Sequence, residues 1–282
     1  VTSALAVHVG CTSLLVANLV VRTWRTQVIF AGLGRPVPFA EVLTANLTGD
    51  TAAALTPLRI GGLPAQIAFF QRIGVPPQVT VPTLLVESLL LYPVYAVLGV
   101  ALAAVAGQAW LAQLRAIGAG AGRLLTWLGV LFAAGWLLLL VARRAAPRRS
   151  RQVGETIAPG LALVRGMGAG PALLTVPLTV LDVLSRIALL PILAAGVAGA
   201  PSAGVLALAS FAMLYGQIAM PTPGGAGIVE LGVLGGAAGD LGANTAGILL
   251  WWRAYTAGVH VLLCAPFLWW RLARRARLAR PG

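Results

Sequence analysis

The chain has 282 residues, of which 59% are hydrophobic and 10% charged; soluble domains carry about 25% charged residues, so this is a helical membrane protein with little chain left for a soluble domain. Its formal charge of +13 comes from twenty Arg, with no Lys, against seven acids. A nucleic-acid partner is excluded because the Arg cluster beside apolar runs, where they orient spans and meet anionic lipid.

In chain order, residues 3–21 are apolar and long enough for a first span, ending at Arg22 and Arg25. With no basic stretch ahead and no cleavage site behind, this run reads as a retained span. Arg35 follows in a Gly/Pro loop. Residues 39–56 form a weaker apolar segment, interrupted by Glu41, Asn46, Gly49 and Asp50, that stops at Thr56-Pro57-Leu58-Arg59-Ile60-Gly61-Gly62-Leu63-Pro64. A short segment then runs to Arg72. Neither half reaches the about 20 residues needed to cross hydrocarbon, so 39–73 reads as a broken, re-entrant hairpin. Residues 79–106 are a long span carrying Glu87 and Pro93.

A loop at 107–123 and a clean span at 124–142 come next, followed by Arg143, Arg144, Arg148, Arg149 and Arg151. Residues 171–199 span again, with Asp182 and Arg186 inside. An apolar helix reading from about 203 then meets Pro221-Thr222-Pro223-Gly224-Gly225-Ala226-Gly227-Ile228-Val229-Glu230 and resumes, so 203–239 reads as a second hairpin. Hydrocarbon offers no partner to backbone groups freed at such a break, which is tolerated only inside protein or beside a wet cavity. A final span at 244–270 leads to an Arg-rich tail.

These elements predict an all-α polytopic membrane protein, a single integral membrane domain over 1–282 with about five full spans and two broken hairpins. Residues 1–106 form a first half with hairpin 39–73, residues 107–151 a linking span and basic loop, and residues 152–282 a second half with hairpin 203–239. Placing 22–38, 143–170 and the tail in the cytoplasm, with the first hairpin entering from that side, puts sixteen of the twenty Arg inside, as the positive-inside rule requires. The expected location is the cell membrane, with a cytoplasmic C-terminal tail. The two halves then have opposite sense, the layout of an inverted-topology repeat, in which paired interrupted segments mark a transport site.

Several intramembrane side chains carry information because each ionised group costs about 2.5–3.5 kcal/mol at mid-bilayer on insertion scales. Asp182 and Arg186, four apart, can pair across one turn, either as a self-satisfied structural pair or as a gate. Glu230 in the first turn of a half-helix either compensates its dipole or balances an Arg beside a phosphate held at that N-terminus. Arg59 and Arg253 are candidate phosphate partners, since guanidinium binds phosphate bidentately; the alternatives are a cytoplasmic anchor for Arg59 and snorkelling beside Trp251 and Trp252 for Arg253. Glu87 can pair with Arg59. His8 and His260 read as buried, hydrogen-bonded residues. Cys11 and Cys264 read as buried free thiols. No Cys/His/acid spacing suits a metal, and the Gly-rich run lacks the Lys of a nucleotide loop; no cofactor is expected.

Asn46 followed by Thr56-Pro57-x-x-x-Gly61-Gly62-Leu63-Pro64, the Gly74-Val75-Pro76 turn, Glu87, Pro223-Gly224-Gly225-x-Gly227-x-x-Glu230 and Leu250-Trp251-Trp252-Arg253-Ala254-Tyr255 give the chain its resemblance. It resembles the lysylphosphatidylglycerol synthase transmembrane-region family, the flippase-like membrane domain. Leu63 and Pro64 stand where a common family form has a Glu after the glycine. The 282 residues do not include the soluble aminoacyl-transferase domain of two-domain members. The resemblance therefore implies translocation of a phospholipid or polyprenyl lipid, not an enzyme. The rival expectation is a membrane scaffold or accessory subunit of a lipid-modifying complex; a second copy or a lipid-modifying enzyme would then be the protein partner. On the translocation reading the substrate path is expected at Asn46, Arg59, Gly61, Gly62, Glu87, Asp182, Arg186, Pro223, Gly224, Gly225, Gly227, Glu230, Arg253 and Tyr255.

Overall fold

The computed structural model describes residues 4–116, 166–216 and 241–264, and every regular element among them is helical. In chain order these are α1 (Ala4–Gly32), α2 (Phe39–Leu55), α3 (Gly62–Arg72), α4 (Pro77–Ala116), α5 (Ala169–Ile187), α6 (Leu189–Ala194), α7 (Ala203–Gly216) and α8 (Thr245–Arg253). A π-helical turn, Ala254–Gly258, prolongs α8. Four stretches among the described residues are long and apolar enough to cross a membrane: Ala4–Gly32, Pro77–Ala109, Ala169–Ala194 and Gly242–Cys264. The span expected at 124–142, the basic loop, the second hairpin's turn and the tail lie outside the described residues.

Two span boundaries differ from the sequence reading. α1 does not stop at residue 21 but runs on to Gly32, so Arg22 and Arg25 are in the helix rather than in a flanking loop. α4 continues through residue 107 to Ala116. In α1 the polar residues at the end of the apolar run stay helical because partners on other helices receive them. Between α5 and α6 the break has a local cause. The ring of Pro191 meets the carbonyl of Ile187, four residues back, where α5 ends.

The first broken hairpin is present. α2 has 17 residues and α3 has 11, each shorter than a bilayer crossing. They pack against each other through backbone approach. A Cβ at Gly61 would sit 2.8 Å from Thr56 Oγ1 and 3.0 Å from the Ala52 carbonyl oxygen, and one at Gly62 would sit 3.0 Å from Ala53 Cβ. These two glycines therefore close the hairpin. Gly61→Ala is expected to cost about 1–3 kcal/mol through overpacking, read as a lower unfolding temperature in detergent; an unchanged temperature would remove this role.

At the tip, Leu58 (φ 53°) and Arg59 (φ 56°) both adopt left-handed backbone conformations. The Thr56 hydroxyl accepts the Gly61 N–H at 2.9 Å and steadies the turn.

Three apolar cores hold the described helices. One joins Cys11 and Leu15 of α1 with Leu190, Met213, Ile248 and Trp252. A second joins Phe30, Val42, Phe70 and Val79, fastening the hairpin to α1 and α4, and a smaller third joins Ile29 and Leu33 to Val86 of α4. The two cysteines are buried and free. Between the cores the packing is polar.

Candidate functional site

α1 presents Asn18, Arg22 and Arg25 on one face, spaced four and three residues apart. That face runs along α5 and brings three helices' charges together. Arg25 is 1% exposed. It donates through Nη1 to Asp182 Oδ2 of α5 at 2.7 Å and through Nη2 to Glu87 of α4. Thr26 Oγ1 donates to the other Glu87 oxygen at 3.2 Å. Asn18 Nδ2 donates to Asp182 Oδ1 at 2.7 Å, and Arg186 Nε reaches the same oxygen at 3.0 Å. Asp182 is thus held by two cations and an amide. The expected Asp182–Arg186 pair is made, and Arg25 joins it.

One turn earlier on α1, Arg22 pairs with Asp50 of α2 and lies 3.9 Å from Glu87. His260, beyond the π-helical turn, places Nε2 3.7 Å from Asp50 Oδ2. The bonds that Glu87 accepts come from Arg25 and Thr26, not from Arg59 as the sequence suggested.

These groups line a cavity of about 210 Å³. Its walls carry Arg22, Arg25, Arg59 and Arg186 against Asp50, Glu87 and Asp182, so the charged side chains among the described lining residues sum to one net positive charge. Tyr95 of α4 and Tyr215 of α7 close one side, their ring centroids 3.8 Å apart. Asp182 lies near the middle of Ala169–Ala194, so the hairpin tip bearing Arg59 reaches the interior of the bundle. A second, smaller cavity shares Arg186, Leu214 and Thr256 with the first and adds Asn18, Tyr255 and His260. Arg186 stands between the two.

The expected site residues divide accordingly. Arg59, Glu87, Asp182 and Arg186 line the polar cavity, and Tyr255 lines the smaller one, with its hydroxyl 3.0 Å from His8 Nδ1. Arg253 lines neither; α8 turns it to a half-buried position while Trp252 enters the core. Asn46 is buried in the hairpin, where Gln66 Nε2 donates to its Oδ1 at 3.4 Å. Gly61 and Gly62 serve hairpin closure. Pro223, Gly224, Gly225, Gly227 and Glu230 lie outside the described residues. The sequence reading missed Arg22, Arg25, Asp50 and His260.

Long apolar helices enclosing a charged interior cavity define a polytopic helical membrane protein with an intramembrane polar site. The chain belongs to the family described as the lysylphosphatidylglycerol synthase TM region, whose sequence model matches residues 3–264. That family is a membrane domain associated with lipid synthesis and flipping. No curated protein matches the sequence.

Proposed function

We propose that the protein translocates an anionic phospholipid or polyprenyl lipid between leaflets, passing its headgroup through the cavity of Arg22, Arg25, Arg59 and Arg186. The observation that carries this is the cavity itself. Charged side chains are costly in a bilayer and mark substrate paths when they face a cavity, and a guanidinium-rich wall suits a phosphate. The carboxylates hold the guanidinium groups in place while leaving the wall cationic. Such a wall binds and releases without covalent chemistry, which favours a transporter over an enzyme.

We place the protein in the cell membrane with its tail in the cytoplasm. Moving Arg22, Arg25 and Arg59 from the loop tally into the cavity leaves thirteen Arg on that side and two on the other, so the orientation is unchanged.

The test is reconstitution into liposomes containing a fluorescent phosphatidylglycerol, with a membrane-impermeant quencher added outside. Protein is expected to expose the inner-leaflet probe, and empty liposomes are not. Equal protection in both would overturn the reading.

A further inference from the structure

His260 is buried in the last described span, and its Nδ1 has no hydrogen-bond partner among the described residues. Its Nε2 faces Asp50 Oδ2 at 3.7 Å, beyond hydrogen-bond reach. A neutral imidazole in this position leaves both ring nitrogens poorly satisfied, which is costly for a buried polar group. Protonation gives the Asp50 carboxylate a charge-assisted donor, for which the gap needs to close by less than 1 Å. The π-helical turn Ala254–Gly258 ends two residues before His260; such turns insert an extra residue and re-aim the side chains that follow.

The charged groups acting on the imidazole are Asp50 from α2, Arg186 from α5, Arg22 from α1 and Arg59 from the hairpin tip. Tyr215 from α7 lines the polar cavity, and Tyr255 from the π-helical turn lines the smaller cavity with His260. Burial opposes the imidazolium most, three guanidinium groups oppose it as well, and one carboxylate favours it. An anion lodged among those guanidinium groups cancels their opposition, so anion and proton each raise the other's affinity, as linkage requires.

We propose that His260 with Asp50 is a proton-binding site loaded together with an anionic headgroup, so that lipid and proton cross as an electroneutral pair. This rests on the translocation reading for its cargo. The only bond made is N–H on the imidazole. The proton comes from water on the loading side and returns to water on the other. A singly charged phosphodiester brings one negative charge, the proton one positive, and the loaded site carries the same net charge as the empty one. Protonated His260 also competes with Arg22 for Asp50, releasing that guanidinium toward the headgroup.

Two measurements test it. Binding of fluorescent phosphatidylglycerol to the purified full chain in micelles is expected to weaken as pH rises, by up to about tenfold per pH unit for one linked proton. His260→Gln is expected to flatten that slope. In parallel, the side-chain nitrogens of ¹⁵N-histidine-labelled wild-type protein are followed from about pH 5 to 8, the usual window for this side chain, with His8→Gln assigning the two signals. His260 is expected to convert to imidazolium, with a midpoint that rises when phosphatidylglycerol is added. The wild-type titration stands whether or not His260→Gln folds. A His260 signal that stays neutral throughout, or lipid binding with no pH dependence, overturns the coupling alone. Absence of lipid binding at every pH overturns the translocation reading and with it the cargo.

Discussion

Arg25→Met is expected to cost about 3–5 kcal/mol of folding free energy, the range seen when one member of a buried ionic network is removed. Arg25 is the cation that Glu87 and Asp182 share. Removing it leaves Glu87 with Thr26 and the more distant Arg22, and leaves Asp182 with Asn18 and Arg186. The penalty is mostly that of a buried carboxylate without its counter-charge, so neutralising the partners should repair it. Arg25→Met combined with Glu87→Gln and Asp182→Asn is expected to recover much of the unfolding temperature in detergent while leaving lipid translocation abolished. If the triple variant translocates normally, the network is structural and the proposed site is wrong.

Arg186→Gln is expected to act on transport more than on stability. Its partner Asp182 keeps Arg25 and Asn18, so the fold retains a paired carboxylate. The headgroup, however, loses the guanidinium that stands between the two cavities. Losing one partner of a hydrogen-bonded charge pair costs about 2–5 kcal/mol, which is roughly 30-fold or more in affinity. Translocation of fluorescent phosphatidylglycerol should fall by at least that factor at sub-saturating lipid. Arg186→Lys should restore part of it, since the charge returns without the planar fork. Wild-type rates in Arg186→Gln would sink the assignment.

Much of this arrangement could be read from the chain before any coordinates. Segment lengths and the Pro57-to-Gly62 break identify the first hairpin, and helical spacing identifies the Asp182–Arg186 pair. Arg25 escaped because the apolar run ends at Val21 and a guanidinium just past such an end looks like an interfacial anchor. Only α4 and α5, distant in sequence, make it a buried residue. The available signal was the periodicity of Asn18, Arg22 and Arg25, which no loop would need to keep. Asp50 looked like an interruption of a weak segment, and His260 like an ordinary core residue. Their significance lies in facing each other across a tertiary contact that no local pattern encodes. Arg253 lines neither cavity while its neighbour Trp252 turns into the core; two tryptophans precede it, and sequence does not say which of neighbouring positions turns inward.

The tip of the first hairpin carries a further consequence. Leu58 and Arg59 sit in a backbone region that costs a residue with a side chain roughly 1–2 kcal/mol each. That cost is offset by what the Arg59 guanidinium gains inside the polar cavity, which acts as the latch on the tip. On the proposed translocation reading, a headgroup that competed for that guanidinium would loosen the latch, and relaxation of two residues would reset the tip without tilting a single transmembrane rod.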